Sequence, residues 1–317
     1  MPISGEPVQL AVEDEFSADD DAPHVPDDDF YFTETYWYSF FAPERSLGGW
    51  LYGGIRPNAG VTLGGCWIWD ASGTAPWEIP FYEQYHWLKR PVGGTAEGID
   101  FPTGMSVRTS KPGMDYRVAY SDRDRVQVDL RFVAIERPVP LRAGTPPYPK
   151  ASHFDQTGRV TGSIALDGEN IEIDCYAMRD RSWGGRRERG FRPMGYTWMA
   201  SADMSVLLYS RPLADGVGDE IYAGYIRRGD NTTYVRNGVR RAERDSANGW
   251  ITAMRFAVVD EAGEQLDVEG TTLSRMVLPG ATNICVNSAM TFKLGDDYLH
   301  GEDQDVWPMH QWRKLSR

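Results

Sequence analysis

The charged block Arg179–Arg186 (RDRSWGGR) contains the carboxylate whose surroundings point most clearly to chemistry. Asp180 stands between Arg179 and Arg181, and we expect the two guanidinium groups to pair with it and hold it ionised. The functional interpretation makes Asp180 a proton donor or base at a cavity mouth, and a lowered pKa suits a base better than an acid. The alternative is a buried ion-pair network that fixes the corner between two strands, with Trp183 packed over it.

Two of the five histidines are candidates for a partner of Asp180. His153 begins a strand-like stretch, and an imidazole beside Asp180 would transfer protons near neutral pH. The alternative is a histidine that is exposed or satisfied in the core. His86 stands between Tyr85 and Trp87 in a stretch rich in Pro and Gly, and we predict that it lines the same cavity.

Aromatic residues are more numerous than core packing alone requires. A cavity lined by aromatic rings would bind an apolar molecule and could stabilise a carbocation by cation–π contact. Core packing of many of these rings is the alternative. The predicted substrate-binding residues are Tyr36, Trp37, Trp50, Trp67, Trp69, Tyr85, Arg179, Arg181, Trp183 and Trp198.

A group of arginines follows Asp180, and it could hold a carboxylate or phosphate of a substrate, including a CoA ester. The alternative is a solvated surface that is neutralised by the interleaved acids. The group comprises Arg179, Arg181, Arg186, Arg187, Arg189 and Arg192.

A β-hairpin is the element that would bring His153 and Asp180 together. The runs Arg159–Leu166 and Ile171–Tyr176 flank Asp167–Asn170, and Asp-Gly between two alternating runs predicts a tight hairpin turn. Antiparallel pairing would then return the end of the stretch towards its start.

The rest of the chain is typical of an all-β protein with many turns. We predict an acidic arm over residues 1–29, poorly ordered or draped over the surface, and β-domains over 30–145 and 146–317. The proline-rich segment Glu136–Pro149 is the predicted linker. Residues 71–104 are predicted to be an irregular loop, and Gln304–Leu315 is a weak helix candidate because Pro308 interrupts it.

The charge is concentrated in the arm. The net charge is −13. Twelve acidic residues precede Arg45, with no Lys or Arg among them, so they carry −12, and the other 34 acidic residues are nearly balanced by 33 Lys and Arg. Nucleic-acid binding is therefore disfavoured. The three cysteines form no CxxC or metal-ligand spacing, HExxH is absent, and we predict no metal.

Targeting and cofactor signals are also missing from the sequence. No signal peptide opens the chain, and no apolar run reaches the ~20 residues of a membrane span. We therefore expect a cytoplasmic protein without a membrane span. No GxGxxG in a strand–helix context, GxxxxGK[ST] or GxSxG is present, so we expect no cofactor. The pattern is also compatible with a homodimer.

The stretch from His153 to Arg187, which begins HxxxxGRVxG and ends RDRSWGxR, resembles the second half of the carotenoid 1,2-hydratase and AttH-like group in the lipocalin-like (calycin) superfamily. The opening strand around Thr35–Phe41, the glycine-rich Leu47–Ile55 with its Arg56-Pro57-Asn58 turn, and Gly301–Gln304 also look like that group. The resemblance implies two successive lipocalin-like antiparallel β-barrel or sandwich domains packed together around a ligand cavity. Some distant members are hydratases or pericyclic cyclases that act on apolar polyenes or polyketides.

These observations favour a cofactor-independent lyase or isomerase, meaning a hydratase, dehydratase or cyclase, that acts on a hydrophobic terpenoid, polyketide or aromatic substrate. Asp180 would move the proton together with His153 or a cavity tyrosine, and His86 is a further catalytic candidate. A non-catalytic carrier of a hydrophobic ligand is the first alternative. A scaffold in which the charged block only joins structural elements is the second.

Overall fold

The computed structural model describes residues 16–90, 93–142, 145–147, 151–187, 190, 192–214 and 217–315. Its described residues form two groups of antiparallel strands, which confirms the predicted all-β class. They divide into two compact units. The first holds the described residues of Met1–Phe40, Gly49–Trp67 and Phe81–Arg187, and the second those of Phe41–Gly48, Ile68–Pro80 and Glu188–Arg317.

The first sheet has eleven strands and is open. Along the chain they are β1 Phe32–Ala42, β2 Leu47–Arg56, β3 Val61–Trp69, β4 Phe81–Lys89, β5 Gly98–Asp100, β6 Met105–Lys111, β7 Asp115–Ser121, β8 Val126–Ala134, β9 Val139–Pro140, β10 Ala151–Leu166 and β11 Glu169–Gly185. Their order in the sheet is β4-β3-β2-β1-β11-β10-β8-β7-β6-β5, with β9 paired to β10. The edges are therefore β4 and β5, and β11 lies near the centre.

The second group closes into a barrel of eight sequential strands. They are β12 Met194–Ala200, β13 Met204–Pro212, β14 Asp219–Arg228, β15 Asn231–Arg244, β16 Ile251–Asp260, β17 Gln265–Pro279, β18 Asn283–Leu294 and β19 Asp297–Pro308, followed by α1 Met309–Leu315. Its core is aliphatic and aromatic, and includes Met199, Leu208, Phe256 and Phe292. No described helix has the length and apolar character needed to cross a lipid bilayer.

The hairpin predicted from the Asp-Gly signal is confirmed, and it is longer than its alternating core. Strands β10 and β11 pair continuously from Leu166↔Glu169 to Ala151↔Gly184. The turn residues Asp167 and Gly168 have φ angles of 49° and 86°, as a two-residue type I′ turn requires. The pairing places Asp155 directly opposite Asp180 and His153 opposite Ser182.

The predicted division at residues 145 and 146 does not separate the two groups of strands. Strands β10 and β11 lie beyond that point, yet they pair with β8 and β1 of the first sheet. The strands of the second group begin at Met194. The proline-rich segment is therefore a connection within the first sheet. The two strands that follow it, β10 and β11, bring the number of strands in that sheet to eleven.

Two local predictions are also corrected. The stretch 71–104 contains strands β4 and β5 rather than being irregular throughout. Strand β19 continues to Pro308, and the helix begins only at Met309. Proline lacks the backbone N–H and restricts the preceding residue, so it marks the boundary between strand and helix.

From Phe16 onward the predicted arm is exposed or partly exposed apart from Asp21; residues 1–15 lie outside the described residues. A short 3-10 helix spans Ala18–Asp21 with Ser17 as its N-cap. The Asp21 side chain is buried and accepts hydrogen bonds from Gly113 N at 2.9 Å and Tyr116 Oη at 2.8 Å. The Asp21 side chain therefore stabilises the packing of the arm in the first unit.

Candidate proton-transfer site on the first sheet

Strand alternation separates Asp180 from the two arginines beside it in sequence. Successive side chains of a strand point to opposite faces, so Arg179 and Arg181 share one face of β11, and Asp180 and Ser182 share the other. We call these the arginine face and the aspartate face. The register extends both to β1, where Tyr36 lies opposite Arg181 and Trp37 lies opposite Asp180.

The arginine face is a buried structural network. Arg181 Nη2 lies 2.5 Å from Glu34 Oε1, and its guanidinium stacks on the Tyr36 ring at 3.6 Å. Arg179 donates to Gln156 Oε1 at 2.6 Å, with its Nη1 3.8 Å from Asp21 Oδ1. The prediction that these arginines pair with Asp180 is therefore wrong.

Trp183 also lies on the arginine face. Its ring stacks on His24 with centroids 3.9 Å apart and an interplanar angle of 11°. The His24 imidazole bridges Glu34 at 2.8 Å and Asp20 at 3.1 Å. The motif arginines and tryptophan thus hold the N-terminal segment against the sheet, as the structural alternative for the charged block expects.

The aspartate face brings together His153, Asp155 and Asp180. One nitrogen or oxygen of each lies within 4.8 Å of the others. His153 Nε2 is 3.0 Å from Asp155 Oδ2, so the imidazole donates a hydrogen bond to that carboxylate. His153 and Asp155 are 3% and 1% exposed, whereas Asp180 is partly exposed. The predicted approach of His153 to Asp180 is present, with Asp155 as an additional member.

Desolvation, the largest effect on Asp180, raises its pKa from the ordinary value of 3.8 to about 6. The charge of Asp155 acts in the same direction, while His153, Arg186 and Arg181 lower the pKa. The expectation of a depressed pKa is therefore wrong, because the adjacent guanidinium groups point away and the surrounding protein removes water. A carboxyl group with this pKa exchanges protons near neutral pH.

Three tryptophans adjoin the cluster on β1, β2 and β3. Trp37 lies directly across from Asp180, and its ring packs edge-on against Trp50 with centroids 5.6 Å apart. Trp50 packs edge-on against Trp67 at 6.2 Å, and Tyr52 contacts Trp67 at 6.1 Å. We call Trp37, Trp50 and Trp67 the aromatic wall. It gives the polar cluster an apolar neighbour.

A row of polar groups lies beside Asp180 on the same face. Thr35 Oγ1 and Ser182 Oγ are 2.7 Å apart, and Arg186 Nη2 donates to Ser182 Oγ. Burial raises the pKa of the Tyr52 hydroxyl, the charge of Arg186 lowers it, and the charge of Asp180 raises it. Tyr52 and Arg186 are therefore electrostatic neighbours of Asp180.

The remaining predicted site residues lie elsewhere. His86 is exposed and Tyr85 partly exposed on the edge strand β4, four strand spacings from β11, or about 19 Å. The structure therefore does not place His86 in the same site as Asp180. Trp69 and Trp198 are buried in the second compact unit. Tyr36 belongs to the arginine face.

Asp155 was missed by the sequence analysis, and Arg186 was named there only as one of six arginines that could hold a substrate anion. Asp155 is two positions from His153, and this spacing in a strand places both side chains on one face. The same even-number rule links Arg186 to Asp180. The signal was present, but it becomes usable only when the register of β10, β11 and β1 is known.

The cluster offers one imidazole nitrogen and two carboxylate oxygens, which are ligand types suited to zinc and other divalent ions. In the structure one of these donor pairs is joined by a direct hydrogen bond. The absence of a metal at this cluster stays a prediction. A separate depression of about 610 Å³ on the second barrel is lined by charged residues such as Arg241, Asp267 and Lys293 and contains none of the cluster.

Solved structures of other proteins are similar to this chain. The chain shares its fold with the crystal structure of an AttH-like protein from Nitrosomonas europaea, at TM-score 0.66 and 12% identity over 94% of this chain and 98% of that one. It also resembles kievitone hydratase from Nectria haematococca, at TM-score 0.55 and 12% identity over 87% and 89% of the two chains. The protein CghA matches at TM-score 0.54 and 10% identity over 90% and 94%.

These likenesses show that the chain has the fold of the AttH-like protein, as the motifs predicted. No curated protein sequence matches the chain. The sequence signature of one family matches residues 17–301, which is most of the chain. The protein therefore belongs to the family described as a domain of unknown function, DUF7064.

Proposed function

We propose that this protein is a lyase or isomerase of the hydratase, dehydratase or cyclase type, which moves a proton on a hydrophobic molecule at Asp180 without a bound cofactor. The observation that carries the proposal is the Asp180 carboxyl group, whose pKa is raised to about 6 by desolvation and which lies between a buried His153–Asp155 pair and the aromatic wall. The hydratase named among the structures of similar fold supports the same class of chemistry.

The raised pKa of Asp180 suits acid–base catalysis. A general acid or base works best when its pKa lies near the working pH, because both protonation states are then populated. At about 6, Asp180 meets that condition, whereas an ordinary aspartate does not. Burying a carboxyl group costs free energy, so its retention beside an apolar wall favours a functional role.

His153 supplies the second proton-transfer group. Asp155 accepts its Nε2 hydrogen and thereby orients the ring, in the way that a carboxylate orients a catalytic histidine in many hydrolytic enzymes. Adding or removing water requires one proton taken from the substrate and one delivered to it. Asp180 can do both in turn, with the adjacent His153 as a second proton-transfer group.

The aromatic wall supplies binding energy and shape. The rings of Trp37, Trp50 and Trp67 are 3–5% exposed, so we expect a ligand to meet this apolar wall at its margin beside the carboxyl group. A substrate held against these rings would have its reacting carbon close to Asp180. Holding a reactive geometry of this kind accounts for a large share of the rate in proton-transfer and cyclisation reactions.

A screen against hydrophobic isoprenoids, polyketide-like enones and hydroxy-ketones in D₂O tests the proposal, with solvent deuterium and mass changes of the products followed by mass spectrometry. We expect Asp180→Asn to abolish turnover while ligand binding, measured by tryptophan fluorescence, is kept. Asp174→Asn, at an exposed aspartate on the same strand, is the matched control and should retain activity.

The outcomes separate the alternatives. Equal turnover by the Asp180→Asn variant would show that the carboxyl group does not transfer the proton. Binding without turnover by the wild type across the screen would support a carrier. Loss of folding in Asp180→Asn would support the scaffold.

A further inference from the structure

Arg186 is the arginine of the motif that shares the aspartate face. It lies six residues beyond Asp180 and four beyond Ser182, and these even spacings direct the three side chains to the same side of the strand. The hydrogen bond from Arg186 Nη2 to Ser182 Oγ confirms this direction. Its backbone N–H donates to Tyr31 O at 3.0 Å, which fastens this end of the strand.

Arg179 and Arg181 are poorly suited to holding a ligand. Their side chains are each 1% exposed and engage Asp21 and Glu34, so a ligand would have to break a buried ion pair to reach them. Arg186, by contrast, is partly exposed. The motif thus divides its arginines between a structural and an accessible position.

The charge of Arg186 reaches the reaction site. It lowers the pKa of Asp180 more than the charge of Arg181 does, although Arg181 is the next residue in sequence. It acts on Tyr52 as well. A molecule lying between the aromatic wall and Asp180 would therefore lie within the field of this guanidinium.

We propose that Arg186 binds a carbonyl-type oxygen of the substrate and stabilises the negative charge that forms there. The inference rests on the proposed function, and it narrows the substrate to hydrophobic β-hydroxycarbonyl compounds and their conjugated, unsaturated counterparts. A cation on this face would oppose a carbocation and favour an enolate, because opposite charges attract strongly where water is scarce.

The proposed reaction is the dehydration of a β-hydroxycarbonyl compound. The Asp180 carboxylate removes the proton from the carbon beside the carbonyl, and the electron pair of that C–H bond forms the enolate, whose oxygen pairs with Arg186. The enolate then re-forms the carbonyl and a conjugated C=C bond while the C–O bond at the next carbon breaks. The leaving hydroxide takes the proton from Asp180 and departs as water. Hydration is the reverse sequence.

A pair of probes of similar shape tests the assignment: 2-naphthoate, which carries a carboxylate, and 2-naphthylmethanol, which is neutral. Dissociation constants are measured by tryptophan fluorescence at pH 6, where Asp180 is not fully ionised. We expect the wild type to prefer 2-naphthoate by about tenfold, the size of one charge-assisted hydrogen bond. Arg186→Met should remove this preference without changing the affinity for the neutral probe.

Two further variants control the result. Arg187→Met removes the exposed neighbouring arginine and should keep the preference. Arg186→Lys keeps the charge without the planar fork and should retain part of it. An equal affinity of the wild type for both probes would overturn the inference, as would an unchanged preference in Arg186→Met. If the wild type binds both probes with equal affinity, the role of Arg186 is refuted but the proposed function still stands. If the wild type binds neither probe, both proposals fail.

Discussion

Replacing Asp180 by Asn should stabilise the folded protein at neutral pH while abolishing its proposed activity. The reason is the sign of the pKa shift. The folded-state pKa, about 6, lies above the ordinary value of 3.8, so the folded state binds the proton more tightly than the unfolded state. Folding is therefore favoured by this group at low pH, and that contribution is lost as the pH rises from about 4 to about 6.

The size of the effect follows from the shift. A difference of about two pKa units corresponds to about 3 kcal/mol, the free energy that the ionised carboxylate costs above pH 7. At pH 5 the same calculation leaves about half of that free energy. Asparagine carries no charge but also loses the attraction to Arg186 and His153, so we expect a gain in the free energy of unfolding of about 1–3 kcal/mol at pH 8.

Urea denaturation between pH 5 and pH 8, followed by tryptophan fluorescence and circular dichroism, measures this gain. The difference between variant and wild type should grow with pH across that range. Asp174→Asn is again the matched control: this exposed aspartate pairs with Arg159, and its replacement should lower the free energy of unfolding by less than about 1 kcal/mol.

A destabilised Asp180→Asn variant at pH 8 would refute the reasoning. It would mean that the ionised carboxylate is favourable in the folded state, held by His153 and the arginines as in an ordinary buried ion pair. A pH-independent gain would also count against it, since the effect would then not come from ionisation.

Four other predictions test the fold and the site. Asp21→Asn should lower the free energy of unfolding by about 3 kcal/mol, because the buried charge of Arg179 loses its counter-charge, and an unchanged denaturation midpoint would contradict this. Gly168→Val should cost about 2 kcal/mol in the same assay, since a β-branched residue is strained at a φ of 86°, and a neutral effect would argue against the type I′ turn. Burial raises the pKa of the Cys66 thiol, so this cysteine should react with a disulfide reagent at pH 8 only after denaturation. Calorimetric titration with Zn²⁺ should show no binding that His153→Gln abolishes, and stoichiometric binding lost in that variant would replace the proton-transfer proposal with a metal site.

Part of the fold was predictable from local patterns. Alternation along Arg159–Leu166 and Ile171–Tyr176, with the Asp-Gly turn between them, correctly indicated two strands and a hairpin, because side-chain period and turn conformation depend on neighbouring residues. The assignment of the hairpin to a sheet was not predictable in this way. Its partners β1 and β8 are distant in sequence, and a proline-rich segment interrupts the chain without ending the sheet.

The candidate site shows the same division. The sequence alone predicted a hairpin between Arg159 and Tyr176 whose pairing could bring Asp180 back towards His153, and it showed that the charged motif is a specific feature of the chain. Only the tertiary structure decided which face each side chain occupies. It turned Arg179 and Arg181 towards the N-terminal segment and left Asp180 with His153, Asp155 and the aromatic wall. The physical reason is that adjacent residues of a strand point apart, so the environment of a carboxyl group, and hence its pKa, is set by residues across the sheet.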